Sequence, residues 1–333
     1  MKNILLVFTG GTIGSKAHEG AITTVADSRF QLIARFEQHY PLQAEIAFTT
    51  LQPLQILSEN LHPHHWCKLL AAIEAYDLTQ FDGIIITHGT DTLSFTAAML
   101  ATYFHRLDKP LLLVSSNLPL DQPQANGLEN FICAVEFIRQ NVRAGVFVAY
   151  KNPGGTSQIH LGSQLMACLP LSADFISVAS GPVFQFENDI FHSLNPVPHC
   201  KSTEFDLSPI FAPISLIRPY PGLDYDNIRL DDAGIVLHEL YHSGTACASD
   251  EWGDRYSLSR FIEHCSQRNI PLYLAPSLAL ESAYQSTHDI LNVGGNMLWN
   301  MTLETAFAKL ALAYGNWSDA QTIERFLADH RTK

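Results

Sequence analysis

The stretch Ile4-Leu5-Leu6-Val7-Phe8-Thr9-Gly10-Gly11-Thr12-Ile13-Gly14-Ser15 decides how the chain is read. Ile4 to Phe8 is a continuous apolar run of strand length, closed by a glycine pair. That is the pattern of a strand buried on both faces of a parallel sheet. Gly10 and Gly11 have no side chains, so the backbone can turn sharply there and approach a ligand closely. In open α/β sheets, ligands sit outside the carboxyl ends of the strands. Thr12 is then a hydroxyl on a tight turn at the expected ligand edge. Read alone, the loop is equally a structural turn with a capping Thr, because short glycine motifs match by chance.

A second loop changes that balance. Gly83-Ile84-Ile85-Ile86 is another apolar strand signal, followed by Thr87-His88-Gly89-Thr90-Asp91-Thr92 and a helical pattern through Ala97, Ala98 and Leu100. Two strands thus end in hydroxyl-bearing glycine turns, and the second adds a carboxylate. At this separation the two motifs together resemble the bacterial-type L-asparaginase family, on the side of its cytoplasmic type I members.

The chain has 333 residues, of which 47% are hydrophobic and 16% charged. That length favours two domains over one. A net charge of −13 repels phosphate backbones and anionic lipid, so nucleic acid and membrane surfaces are not expected partners. The six cysteines are scattered without a C-x-x-C pair and read as reduced thiols. The apolar run behind Lys2 is too short for a signal-peptide core, and no stretch reaches membrane-span length. The cytoplasm is the expected location.

Along the chain, Lys16 to Ala21 reads as a mobile polar loop, and Arg29 to His39 carries a helical stripe. Ala44–Leu51 reads as a strand, with Ser58-Glu59-Asn60 in its loop, and a helix follows Pro63. Strands at 83–87, 111–115 and 145–150 alternate with helices at 93–106 and 128–140. This alternation argues for an α/β fold with a doubly wound parallel sheet. Residues 152–212 lose the rhythm, and a new α/β unit begins at Ile214 with strands at 234–237 and 271–275. The expected organisation is a larger domain over 1–195, a linker over 196–212 and a smaller parallel-sheet domain over 213–333.

The resemblance continues into the second half through Ile217-Arg-Pro-Tyr-Pro-Gly222 and Gly294-Gly-Asn-Met-Leu-Trp-Asn-Met-Thr-Leu-Glu304. It implies hydrolysis of the side-chain amide of asparagine or a related small amino acid, with no metal or other cofactor. It also implies a homodimer or homotetramer with sites at a dimer interface. Residue by residue, Thr12 matches the family nucleophile, while Thr90 and Asp91 match the pair that assists it. Asp91 matches the carboxylate that holds the substrate ammonium, and Ser58 and Glu59 match the pair that holds its α-groups. Thr245 stands where an Asn is common, in a segment that reaches the neighbouring subunit's site. Each of these residues would also serve as an ordinary turn or capping group.

Two positions depart from the family. Its Tyr on the loop after the first motif is replaced by Ala21 in Gly20-Ala21-Ile22. Its Lys beyond a Gly-Arg step lines up loosely with His160 in Gly155-Thr-Ser-Gln-Ile-His160, with Lys151 the nearest Lys. A His can accept a proton near neutral pH, so His160 is the candidate for proton handling at Thr90. Ser115-Ser116-Asn117 and Ala125-Asn126-Gly127 also differ from the family's Gly-Ser-Gln and Ser-Asp-Gly. An alternative on these grounds is an amino-acid-binding protein of the same fold with weak or no hydrolysis.

A competing motif is His238-Glu239-Leu240-Tyr241-His242, which fits the H-E-x-x-H of zinc hydrolases. That chemistry needs a helix, so that both His share one face with the Glu between them. The preceding Gly234-Ile-Val-Leu237 reads as a strand, which would set the two His about 13 Å apart. Glu263 is the third ligand available to a zinc site at His238 and His242. His62, His64 and His65 form a second cluster, expected to be a solvated surface patch.

Overall fold

The computed structural model describes the chain except residues 12, 14, 19–20, 25–27, 179–180, 198–204, 231–233, 280–281 and 330–333. For residues 15–18, 21–24 and 28–30 it describes the backbone alone. The chain divides into two compact units, Met1–Glu204 and Phe205–Arg331.

The first unit opens with β1 (Lys2–Phe8), β2 (Ser15–His18), β3 (Ala21–Thr24), α1 (Ser28–His39), β4 (Ile46–Leu51) and α2 (Pro63–Glu74). It continues with β5 (Gly83–Thr87), α3 (Leu93–Tyr103), β6 (Pro110–Val114), α4 (Gly127–Arg139) and β7 (Gly145–Lys151). It ends with β8 (Ser157–Leu161), β9 (Phe184–Glu187) and β10 (Ile190–Ser193). Eight of these strands form one sheet in the order β10-β9-β8-β7-β6-β5-β1-β4. From β4 to β7 the pairing is parallel, and from β7 to β10 it is antiparallel. The sheet is thus parallel over β4–β7, as expected, with an antiparallel edge at β8–β10, where the β7–β8 and β9–β10 connections are too short for a crossover helix.

Ile4–Val7, Ile84–Ile86 and Leu111–Val114 are wholly buried, which is why these runs are continuous rather than alternating. On one face Ile4, Leu6, Ile85 and Leu112 pack with Leu32 and Phe36 of α1 and with Phe131 and Phe137 of α4. Trp66 of α2 meets Thr96 of α3 through a 3.0 Å hydrogen bond, and α3 packs on β7. β1 lies between β4 and β5, and the chain crosses outward from β1 to β4 but in the opposite direction from β5 to β6. Its carboxyl end is the topological switch point, the place where ligands of such sheets bind.

One expectation needs correcting here. The stretch read as a mobile loop, Lys16 to Ala21, lies largely in a two-stranded antiparallel ribbon, with Ser15 opposite Thr24 and His18 opposite Ala21. Glu19 and Gly20 are outside the described residues.

The second unit contains β11 (Ile214–Ile217), β12 (Ile235–Glu239), α5 (Leu258–Gln267), β13 (Leu272–Ser277), α6 (Gln285–Asn292), β14 (Asn296–Trp299), α7 (Leu303–Asn316) and α8 (Ala320–Ala328). Its four strands run parallel in sequence order. Val236, Leu274, Leu258, Ile262 and Ile290 centre its core. Of the stretch 196–212 expected as linker, 198–204 lies outside the described residues, and residues 205–212 are packed into this unit. Phe205 contacts the rings of Trp317 and Phe326, and Ala212 N–H donates to Ala311 O over 2.8 Å. Aromatic burial at Phe205 outweighs the proline-marked irregularity that suggested a linker.

None of the five described cysteines, Cys67, Cys133, Cys168, Cys247 and Cys265, is in a disulfide, and Cys200 lies outside the described residues. Among the described residues no helix is long and apolar enough to cross a membrane.

Candidate functional site

Three segments meet at the switch point, and glycines let them. Gly11 N–H donates to Ile56 O over 2.9 Å, and Ile56 N–H donates back to Thr9 O over 3.0 Å. The first glycine turn is thereby stitched to the segment that ends at Ser58. Gly10 and Gly11 have φ of 101° and 75°, a region that favours glycine. A Cβ on Gly11 would lie 2.3 Å from Gly89 N, so the two glycine loops touch backbone to backbone. A Cβ on Gly89 would lie 2.4 Å from Ser58 Oγ. Thr9 Oγ1 donates to Thr87 O over 2.6 Å and ties the strand ends together.

The Ser58 hydroxyl joins the second loop directly. It donates to Asp91 Oδ2 over 3.2 Å and accepts from Asp91 N–H over 3.3 Å. Thr92 Oγ1 donates to Ser58 O over 2.9 Å. Ser58 is buried, Thr90 half-buried and Asp91 exposed. An exposed carboxylate thus stands beside the switch point with one oxygen held by a serine. Ser58 starts the single turn Ser58–Asn60, and Glu59 is exposed in that turn.

Beneath the second loop lies a hydrogen-bond chain that the sequence did not reveal. Trp66 Nε1–H can only donate, and it donates to Thr96 Oγ1 over 3.0 Å. His88 Nδ1 is 2.8 Å from Gly89 O, which can only accept. His88 Nε2 then accepts from Thr96 Oγ1 over 2.9 Å. Every proton in the chain is assigned, and the ring is the neutral Nδ1–H tautomer. Burial pushes the His88 pKa down to about 4, against the Gly89 carbonyl and the Asp91 charge, which raise it. The imidazole braces Gly89, which is next to Thr90. Its only trace in the sequence is a His between a buried strand and a Gly.

The structure brings Ser58, Thr90 and Asp91 to one place. Thr12 lies outside the described residues; its neighbour Gly11 is at the junction. Ala21 is in β3, and nothing is described of its side chain. His160 is buried in β8 with Nδ1 2.9 Å from Ser177 Oγ. Its Nε2 has no hydrogen-bond partner among the described residues, so neither ring nitrogen bonds Thr90. Burial lowers its pKa to about 4. Lys151 is paired with Glu129 over 2.9 Å. Thr245 belongs to the second unit, where Oγ1 donates to Ser286 Oγ over 2.6 Å.

Asn117 and Asn126, two altered positions, exchange backbone bonds. Asn117 N–H donates to Asn126 Oδ1 over 2.9 Å, and Asn126 N–H donates to Asn117 Oδ1 over 3.0 Å. Asn126 Nδ2 also donates to Lys151 O over 2.8 Å. Together they lock the end of β6, the start of α4 and the end of β7.

The H-E-x-x-H stretch is not a helix. His238 and Glu239 are on β12, and Tyr241–Gly244 is a turn closed by a 2.8 Å bond. His238 Nε2 is bonded to Tyr225 Oη at 2.9 Å, and Glu239 pairs with Arg218. Glu263 pairs with Arg260. These donors are engaged elsewhere, and no group of three or more candidate ligands gathers among the described residues. His62 and His65 close a capping box at the start of α2, with His64 N–H donating to His62 Nδ1 over 3.2 Å.

The comparison with known proteins agrees with this architecture. Residues 3–196 match the family model described as Asparaginase, N-terminal. The chain belongs to the asparaginase family. It is 24% identical over 351 residues to a glutamyl-tRNA(Gln) amidotransferase subunit of Metallosphaera sedula, covering 97% of this chain and 74% of that protein. It is 28% identical over 233 residues to L-asparaginase 1 of Escherichia coli K12, covering 68% of this chain and 66% of that protein. The thermostable L-asparaginase from Thermococcus kodakarensis superposes with a TM-score of 0.79 at 25% identity, covering 99% of this chain and 98% of that one.

Proposed function

We propose that the protein hydrolyses the side-chain amide of L-asparagine or a related small amino acid, with Thr12 as nucleophile. The observation that carries this reading is the Ser58–Asp91 contact beside the apposed glycines Gly11 and Gly89. A hydroxyl is a weak nucleophile near neutral pH and needs a proton acceptor. Thr90 and Asp91 supply the acceptor. The Asp91 carboxylate pairs with the substrate ammonium, and Ser58 and Glu59 hold its α-groups. Attack of the Thr12 oxygen on the amide carbon releases ammonia, and water then cleaves the ester and returns the proton. Membership of a family that includes the E. coli L-asparaginase supports the substrate class. The likeness to an amidotransferase makes glutamine the second amide to test. Thr245 of a second copy is the remaining substrate contact in a dimeric assembly, and the protein acts in the cytoplasm.

The test is ammonia release from asparagine and glutamine, with and without chelator, in the native protein and in Thr12→Ala. Release should survive chelator and vanish in the variant while the unfolding transition stays put. Wild-type turnover in Thr12→Ala would end the assignment.

A second reading is a binder of the same amino acids with slow turnover. It is favoured by His160, which bonds Ser177 rather than Thr90, and by Lys151, which is spent on Glu129. Losing one general acid–base group typically costs about 10²–10⁴ in rate. Calorimetric binding of asparagine with turnover reduced by that factor, partly restored by Ala21→Tyr, would select this reading. A proton-handling role for His160 would appear as a changed pH–rate profile in His160→Ala.

A further inference from the structure

The start of α2 is capped by two imidazoles. Pro63 has no N–H, and His65 N–H donates to His62 O over 2.7 Å. Two further donors go to rings: His62 N–H donates to His65 Nδ1 over 3.0 Å, and His64 N–H donates to His62 Nδ1 over 3.2 Å. A backbone N–H can only donate, so both Nδ1 atoms offer lone pairs and both rings are the neutral Nε2–H tautomer. Capping boxes are ordinarily closed by Ser or Thr with Glu or Gln three residues on, groups that keep their charge around neutral pH. Imidazole does not.

This box lies between two fixed points. On one side Leu61 N–H donates to Ser58 O over 3.0 Å, and Ser58 holds Asp91. On the other, Trp66 is buried and donates to Thr96. The N–H that closes the Ser58 turn and the N–H that closes the box belong to adjacent residues, so the box sets how the turn leaves the helix. Protonation undoes it. A protonated Nδ1 donates and cannot accept, and a cation at a helix N-terminus opposes the macrodipole. Burial first, then the charges of Lys68, His62 and His64, hold the His65 pKa below its ordinary value. Of the acids between 58 and 74, Glu74 accepts from Tyr103 at the far end of α2, and Glu59 is exposed in the Ser58 turn. Any pull of Glu59 on a protonated ring draws it off the backbone N–H, which again favours the open turn. From α3, which meets α2 at Trp66, come Thr96 and behind it the neutral His88 ring. The helix itself survives opening, because Trp66, Leu69, Leu70 and Ile73 remain buried.

We propose that His62 and His65 are positioning residues for the Ser58–Glu59 turn, and that their protonation in mild acid releases the turn and weakens substrate binding. The proposal rests on the amide reading of Ser58 and Glu59. The open turn takes up protons near the ordinary imidazole value of about 6.5, and the closed box excludes them. Closure is therefore favoured above that value and weakened as pH falls below it. His88 and His160, with pKa lowered to about 4, stay neutral through this range.

The experiment measures KM and kcat for asparagine between about pH 7.5 and 5.5, a window around the imidazole value, together with hydrogen exchange of peptide 58–66. It compares the wild-type chain with His62→Asn/His65→Gln, which keeps both acceptors without imidazole, and His62→Ala/His65→Ala, which removes them. Across the window the wild-type KM should rise about 3- to 30-fold relative to the Asn/Gln form, the worth of one lost cap. The kcat ratio should not move, because bound substrate holds the turn closed. The Ala form should show the raised KM already at the upper end of the window. Protection of 58–66, taken against the Asn/Gln form at the same pH, should fall as KM rises. Matching KM profiles in the wild-type and Asn/Gln forms, or matching protection at the acid end, would overturn the proposal. If no ammonia is released at any pH, the amide reading fails instead, and the protection of 58–66 alone decides whether the box opens.

Discussion

The two units each present the carboxyl edge of a parallel sheet, and they use it in opposite ways. In the first unit Gly10, Gly11 and Gly89 remove side chains so that three backbones can close on one another around Ser58 and Asp91. In the second, Tyr220, Tyr241 and Trp252 stand out from the strand ends and keep space open between them. One edge is built by subtraction, the other by addition. The same sheet geometry therefore gives a close-packed polar junction in one unit and an aromatic basin in the other, and residue volume at the strand ends decides which.

The largest expected difference between the units is in acid. His88 and His160 in the first unit and His238 in the second each have the pKa lowered to about 4, chiefly by burial. The unfolded value is near 6.5, so between pH 6.5 and 4 the unfolded chain binds more protons. Stability is fully present above pH 6.5, falls as pH drops towards 4, and loses nothing more from these groups below that. Each His costs about 3 kcal/mol across the window, so the first unit should lose about 6 kcal/mol and the second about 3. Urea unfolding at pH 7 and pH 4, followed by Trp66 in one unit and Trp317 in the other, checks this. Equal losses would break the contrast.

Gly11→Ala should cost about 3 kcal/mol or more and abolish ammonia release, because its Cβ meets Gly89 N at 2.3 Å and its φ is 75°. The measurement is the urea midpoint beside activity. A variant of native stability would mean the two glycine loops are not in contact.

Thr96→Val should cost about 2 kcal/mol by removing the buried hydroxyl that accepts from Trp66 Nε1–H and donates to His88 Nε2. It should also slow turnover more than it raises KM, since the group it loosens, Gly89, borders Thr90. An unchanged midpoint would show that the chain of hydrogen bonds is dispensable.

The smallest effect belongs to the other edge. Trp252→Leu should change stability by no more than about 0.5 kcal/mol, because the ring is 77% exposed. A large loss would mean the indole is packed into the fold and the basin is not open.

The strands and helices that position the first edge are legible in the sequence because their apolar runs have clear length and clear ends. Gly83–Thr87 is a strand and Leu93 begins a helix as the pattern indicates. The glycine motifs mark both loops. Ile56 leaves no signal, since its bonds to Thr9 and Gly11 are backbone bonds that any residue but proline could make. β2 reads as part of a loop because Lys16, Ala17 and His18 lack the β-branched residues that announce strands. Local spacing alone lines His160 up with the family Lys, whereas register with Val148 in β7 decides where its ring goes. The aromatic basin is hidden by distance: Tyr220 and Trp252 are adjacent only because β11 and β12 pair.

Asn126 gives the molecule a clock. Asparagine followed by glycine is the dipeptide most prone to cyclise and lose its amide nitrogen, and Gly127 follows Asn126. The reaction needs the Gly127 nitrogen to reach the Asn126 side-chain carbon. Here Gly127 begins α4, Asn126 is 6% exposed, and its amide is held by Asn117 and Lys151 O. Ageing at this bond therefore proceeds only during moments when the start of α4 opens. Once it happens refolding cannot undo it, because the nitrogen has left as ammonia, and the new carboxylate then faces the Lys151 carbonyl that the lost NH₂ had satisfied. The slow accumulation of deamidated peptide, followed by mass spectrometry in stored protein, would count those openings.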